Sequence, residues 1–197
     1  DLTIEPAPTT GVGVNSTICS DENFDFTGIA TANNYSTLLW TSTGDGSFDT
    51  SDDILEPTYL PGPIDQDGRT VTIRLTATGN APCGVDFSEM DLTIEKAPSA
   101  AIGGPATICS DSDYDFTGIA TAADYATLLW TSTGDGSFTA SNDILEPTYT
   151  PGPLDQAGRT ITLTLTASGN GGCSSAITTM DLTIEPAPTT GVGVNST

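Results

Sequence analysis

Hydrophobic and polar positions alternate along this chain at a period of two, in short runs separated by turn residues. Val71, Ile73, Leu75 and Ala77 alternate with Thr72, Arg74 and Thr76, and Met90, Leu92 and Ile94 with Asp91 and Thr93. Leu38 and Trp40 share one face of a run that leads into Gly44-Asp45-Gly46, and Phe48 opens the next run. Asp-Gly between two such runs signals a hairpin, because both turn positions must tolerate positive φ. Phe24, Phe26, Gly28 and Ala30 alternate with Asp25, Thr27 and Ile29, which predicts another strand. Residues 54–59 read as a short strand broken by Pro57, and therefore as an edge strand. Pro61-Gly62-Pro63 and Asp67-Gly68 mark turns. No stretch sustains a helical period. About seven short strands per repeat predict an all-β fold, an antiparallel immunoglobulin-like sandwich of two sheets.

The pattern occurs twice. Positions 1–90 and 91–180 align without a gap and agree at 58 of 90 positions. Thr37 to Phe48 returns unchanged as Thr127 to Phe138. Residues 1–17 and 181–197 are identical, so the sequence reads as a window on a longer array. The expected organisation has residues 1–8 as the last strand and linker of a preceding repeat. Residues 9–98 and 99–188 are then two sandwiches, and 189–197 the start of another repeat. Glu5-Pro6-Ala7-Pro8 and Glu95-Lys96-Ala97-Pro98 read as short, stiff linkers. The recurring Asp-Leu-Thr-Ile-Glu strand is a candidate for exchange across a boundary by β-augmentation.

Charge narrows the function classes. The chain has 26 acids and 4 bases, a net charge of −22. Nucleic acid is excluded as a partner, since phosphate binding needs clustered Lys and Arg. Anionic membrane surfaces are disfavoured for the same reason, and no apolar run approaches the ~20 residues of a membrane span. Histidine is absent, which removes the usual general base and transition-metal ligand. Paired carboxylates run glycoside hydrolysis elsewhere. Here the same acids recur in small sandwiches without an insertion to build a cleft, so no enzyme is expected and no catalytic residue is assigned.

Acids held in both repeats include Asp21, Asp25, Asp45, Asp53, Glu56 and Asp65. Asp45 and its counterpart Asp135 most simply serve their turns. Asp53, Glu56 and Asp65, with Asp143, Glu146 and Asp155, fall in loops after the hairpin and are the candidate Ca²⁺ ligands. Calcium takes roughly six to eight oxygens from such converging loops; the competing reading is a solvated acidic surface. Asn15, Asn34 and Asn195 open Asn-x-Ser/Thr patterns and are candidate glycan acceptors. The counterparts of the first two are Pro105 and Asp124, so the pattern is no part of the repeat itself.

The four cysteines, Cys19, Cys83, Cys109 and Cys173, keep strict phase: 83 − 19 and 173 − 109 both give 64. Even number and phase predict one disulfide per repeat and an oxidising compartment, the competing reading being free buried thiols in a reducing interior. A geometric condition applies. Cys83 falls between the last two strands, so Cys19 must lie at that same end of the sandwich. If it lies at the opposite end, a bridge across repeats is the alternative.

Thr17-Ile18-Cys19, the stretch from Trp40 to Phe48, Pro57-Thr58-Tyr59, residues 68–77 and Cys83 together resemble a known family. They are similar to the tandem PKD-like and Ig-like repeats of large Bacteroidota cell-surface adhesins of the gliding type. Trp40-x-x-x-Gly44-Asp45-Gly46 is similar to the PKD signature, from which Thr41-Ser42-Thr43 departs. The resemblance implies an extracellular repeat protein, a stalk or fibre segment whose partners are neighbouring repeats or protomers. Its alternative is an adhesive module for glycans or other surfaces, with Ca²⁺ as its one candidate cofactor.

Overall fold

The computed structural model describes residues 4–188. They divide into two compact units: residues up to Ala97 together with Asn170–Cys173, and Pro98–Gly169 together with the described residues from Ser174. The expectations for residues 1–3, 189–197 and Asn195 lie outside the described residues.

The first unit, among its described residues, has nine strands: β1 (Thr9–Gly11), β2 (Ser16–Cys19), β3 (Phe24–Asp25), β4 (Thr31–Asn33), β5 (Tyr35–Ser42), β6 (Ser47–Phe48), β7 (Thr58–Leu60), β8 (Arg69–Gly79) and β9 (Val85–Glu95). One sheet has the order β2-β9-β8-β5 and another β3-β7-β6, with β1 paired to β4. This is the seven-strand immunoglobulin arrangement, in which the first two strands are each broken in two. The long hairpin of β8 and β9 buries Val71, Ile73, Leu75 and Ala77 against Met90, Leu92 and Ile94, as the alternation predicts. Trp40 is 1% exposed and anchors the core. Its ring lies 4.3 Å from Phe26 and 5.6 Å from Phe48, whose ring lies 5.3 Å from Tyr59. Its indole N–H donates to the Ile54 carbonyl at 2.9 Å, so burial leaves no orphaned donor.

The expected hairpin is not formed: β5 pairs with β8 and β6 with β7, so Gly44-Asp45-Gly46 carries the chain from one sheet to the other. Three further local expectations are corrected. The stretch from Phe24 to Ala30 is a strand for only two residues. The Asp25 carboxylate accepts the Thr27 amide at 2.9 Å and hydroxyl at 2.7 Å, and Gly28 takes φ 72°. Ile29 and Ala30 N–H then both donate to the Phe26 carbonyl, closing a turn. Side-chain capture of the local backbone outcompetes the ladder there. The second correction concerns β7, which is the central strand of its sheet, not an edge. It begins after Pro57, so the missing proline N–H falls outside the ladder, and the Pro57 carbonyl accepts from Phe26 N–H. Thirdly, the sandwich is not wholly antiparallel, because β2 runs parallel to β9 with Cys19 opposite Glu95. Between β1 and β2 the chain leaves one pairing partner for the other through Gly13 at φ 84°, and it reaches the outer edge of β9 running in the same sense.

The second unit has the same plan. Its strands are β10 (Ser99–Ala101), β11 (Ala106–Cys109), β12 (Tyr114–Asp115), β13 (Thr121–Ala123), β14 (Tyr125–Ser132), β15 (Ser137–Thr139), β16 (Thr148–Thr150), β17 (Arg159–Gly169) and β18 (Ala176–Glu185). The sheets are β11-β18-β17-β14, β12-β16-β15 and β10-β13, and Trp130, Phe116 and Tyr149 fill the core.

Candidate functional site

Two constellations recur in each repeat and draw on the residues singled out by sequence. The first joins the Gly44-Asp45-Gly46 turn, between β5 and β6, to the loop from Pro61 to Gly68. That loop contains a 3₁₀ turn, Asp65–Asp67. The carboxylate of Asp45 accepts the backbone N–H of Ile64 and of Asp65, both at 3.0 Å. The Asp65 carboxylate returns the arrangement, accepting the N–H of Asp45 at 3.2 Å and of Gly46 at 3.0 Å. It also accepts the Tyr59 hydroxyl at 2.6 Å, and Arg69 stands 3.9 Å away. Each aspartate thus caps the backbone carrying the other.

This clasp accounts for glycines on both sides. A Cβ at Gly44 would lie 2.3 Å from Asp65 Oδ1, and one at Gly62 would lie 2.5 Å from Asp45 Oδ1. It also accounts for a charged residue at zero exposure, since the Asp65 oxygens meet donors in place of water. The second repeat is built alike. Tyr149 donates to Asp155 at 2.6 Å, and Asp135 accepts the N–H of Leu154 and Asp155 at 3.0 Å each.

The clasp sets the ionisation of its members. Burial, then the hydrogen bond to Asp65, pushes the Tyr59 phenol up to about 12; burial and Asp155 do the same to Tyr149, also about 12. The Ile64 amide holds the Asp45 carboxyl below its ordinary range, and the Leu154 amide does so for Asp135. Asp25 is lowered by the Thr27 hydroxyl, and Asp67 by its hydrogen bond to Lys96 at 2.7 Å.

The candidate calcium ligands are not brought together. Asp65 is consumed by the clasp. Asp53 accepts the Ser51 hydroxyl, and Glu56 accepts the Gly28 N–H at 2.8 Å, bracing the turn after Phe26. Glu146 braces Gly118 in the same way at 2.7 Å, while Asp155 occupies its own clasp. Among the described residues no group of three or more His, Cys, Asp or Glu is arranged to hold a metal, Asp143 included. Asp53, Glu56, Asp65, Glu146 and Asp155 serve donors of separate loops. A groove of about 510 Å³ beside the Gly44-Asp45-Gly46 turn is lined by Trp40, Ser42, Phe48 and Asp52 among others. Asp52 is the one acid in its wall, short of the pair that glycoside hydrolysis uses.

Both described glycan candidates carry local structural roles. Asn15 Oδ1 accepts the Asp91 N–H at 2.9 Å. Asn34 sits at φ 56° between β4 and β5, where its counterpart Asp124 has φ 57°. Asn and Asp tolerate the left-handed region better than other non-glycine residues, which explains the exchange at that position.

The second constellation is the cysteines, and the expected pairing is overturned. Cys19 is bonded to Cys173, with Cα atoms 5.4 Å apart, while Cys83 and Cys109 are free. The pairing within a repeat fails on the condition stated from sequence. Cys19 ends β2 opposite Glu95, whereas Cys83 lies in the turn before Val85, at the other end of β9. Ten residues of strand separate those ends, roughly 33 Å, against a reach of about 7 Å for a disulfide. Cys173 reaches Cys19 because residues 170–173 belong to the first unit, where a Cβ on Gly171 would lie 3.0 Å from the Glu95 side chain. Sequence phase alone favoured the pair 64 residues apart, whereas the bond spans 154; strand direction decides between them.

No protein-family model matches the chain, and no curated protein matches it. Among solved structures, it is similar to a titin I-band fragment, I67–I69, at 11% identity and TM-score 0.47, covering 91% of this chain and 66% of that one. It is also similar to protocadherin gammaB7 EC3–6 (14% identity, TM-score 0.38, 91% and 47% covered). A third is Drosophila N-cadherin EC1–4 (12% identity, TM-score 0.42, 92% and 50% covered). The chain thus spans from about half to two-thirds of these structures.

Proposed function

We propose that this chain is a structural repeat segment of a long extracellular surface fibre or adhesin stalk, a spacer without enzymatic activity. The observation that carries this reading is the Cys19–Cys173 bond, which ties one sequence period to the next. Other features agree with it. The two sandwiches, alike at 58 of 90 positions, leave no buried side-chain polar atom unpartnered among the described residues. The linkers are proline-bounded, and all four bases (Arg69, Arg74, Lys96 and Arg159) stand in ion pairs within a strongly acidic chain. Such a surface repels like chains and resists nonspecific adhesion. The disulfide supports an oxidising, extracellular location, and the resemblance to Bacteroidota surface adhesins supports the same setting.

Electron microscopy of the intact parent protein tests the spacer reading. The expected image is a thin filament with a regular repeat and a narrow spread of angles between successive domains. Freely kinked beads, or a compact particle, would overturn it.

A further inference from the structure

We infer that Cys83 and Cys109 are the two open halves of the bond that Cys19 and Cys173 have closed, and that each takes its partner from another copy of this repeat. This deepens the spacer reading and rests on it. The cysteines are of two kinds. Cys19 and Cys109 each end a parallel edge strand, opposite Glu95 and Glu185 respectively. Cys83 and Cys173 each sit in the turn of the long hairpin, between β8 and β9 or between β17 and β18. The closed bond joins one of each kind.

The open turn cysteine is already seated as the closed one is. Cys173 Sγ approaches the Glu95 carbonyl oxygen at 4.0 Å. Cys83 Sγ donates to the Glu5 carbonyl at 3.5 Å, and Glu5 precedes Glu95 by one period. Glu5, beside Cys83 in this chain, therefore stands where the end of another repeat would bring a strand-end cysteine. Residues 181–185 carry the same sequence as 1–5, so Glu185 of a second copy fits the place of Glu5 and carries Cys109 to Cys83. Burial records what is missing: the bonded Cys19 and Cys173 are 3% and 8% exposed, whereas Cys83 is half-buried and Cys109 exposed. Neither free thiol can bond inside its own repeat, because the two kinds lie at opposite ends of the last strand.

The chemistry is thiol–disulfide exchange with a low-molecular-weight disulfide such as oxidised glutathione. The Cys109 thiolate displaces one glutathione to give a mixed disulfide. The Cys83 thiolate of the other copy then displaces the second, so two protein thiols and one glutathione disulfide become one protein disulfide and two reduced glutathiones. Repeated along an array, the bond between unlike cysteines forms a covalent ladder that runs beside the backbone linkers.

The test uses two variants of the full chain, Cys109→Ser, which leaves Cys83 open, and Cys83→Ser, which leaves Cys109 open. Each is incubated alone, and both together, in a glutathione redox buffer. Digestion that recovers the Cys19–Cys173 peptide shows that each variant is folded. The mixture should yield a dimer bridged Cys83–Cys109, in at least about tenfold excess over the like-with-like dimers of either variant alone, because seating raises the effective thiol concentration. Like-with-like dimers formed as readily as mixed ones would overturn the inference, as would a mixture in which both thiols stay alkylatable. Neither result bears on filament regularity, by which the spacer reading is judged separately.

Discussion

The carboxylate clasp and the cysteines are both written into each repeat at fixed spacing, yet the first closes on itself and the second does not. Asp45 and Asp65 are 20 residues apart and meet through backbone donors of their own repeat. Cys19 and Cys83 are 64 apart and are held at opposite ends of one sheet. Residues that find every partner locally stabilise a unit. Residues whose partners are withheld by strand direction are left for something outside it. Repetition by itself does not distinguish the two cases.

Replacing Asp65 with Ala gives the largest expected effect. It strands the Tyr59 hydroxyl and the N–H groups of Asp45 and Gly46, a loss of roughly 3–5 kcal/mol. Denaturant unfolding measures it, and Asp155→Ala should lower the second unit comparably. A loss below about 1 kcal/mol at either site would break the comparison, because the clasp would then be surface decoration. Reducing the Cys19–Cys173 bond, with Cys83 and Cys109 already alkylated, should lower stability by about 2–5 kcal/mol. The far-ultraviolet circular dichroism at 25 °C should stay unchanged, since the cores and clasps do not depend on the bond; loss of the β signal would erase the distinction drawn here.

Asp45→Asn should cost less than Asp65→Ala, because the amide oxygen keeps one acceptor while the charge is removed. Its unfolding curve should also lose part of the acid dependence of the parent. That dependence has a definite sign. Carboxyls held below their ordinary range, Asp25, Asp45, Asp115 and Asp135 among them, add stability that is complete above about pH 4 and is lost as pH falls further. Tyr59 and Tyr149, raised to about 12, add stability that is complete below about pH 10 and is lost as pH climbs towards 12. A melting temperature that is level between those limits and falls on both sides is expected. Arg74→Ala gives the smallest effect, below about 1 kcal/mol, because its pair with Glu89 is well exposed on both partners, although Arg74 also covers the Phe87 ring at 4.3 Å.

Much of the fold was legible in the residues themselves. Period-two alternation at Val71 to Ala77 and at Met90 to Ile94 marks a strand with one face buried, because side chains on a pleated strand alternate faces whatever its neighbours are. A turn at Gly44-Asp45-Gly46 and the core role of Trp40 follow from equally local chemistry, but not that β5 and β6 flanking the turn join different sheets. Asp25 shows where that reasoning stops: its carboxylate captures Thr27 and ends a strand that alternation alone would extend. Asp65 shows it again. A loop acid reads as solvated or as a metal ligand until Tyr59 and the Asp45 turn are brought over it, and the glycines at 44 and 62 were the signal that something packs there.

The sequence by itself determined the class of fold, the 90-residue period and the presence of two kinds of cysteine in strict phase. Tertiary structure alone decided which cysteine meets which, that β2 lies parallel to β9, and that the candidate calcium ligands serve separate loops. The physical reason is range. Alternation, turns and caps are settled by neighbours along the chain, whereas bond partners and convergent ligands depend on strand direction and register, which no single stretch contains.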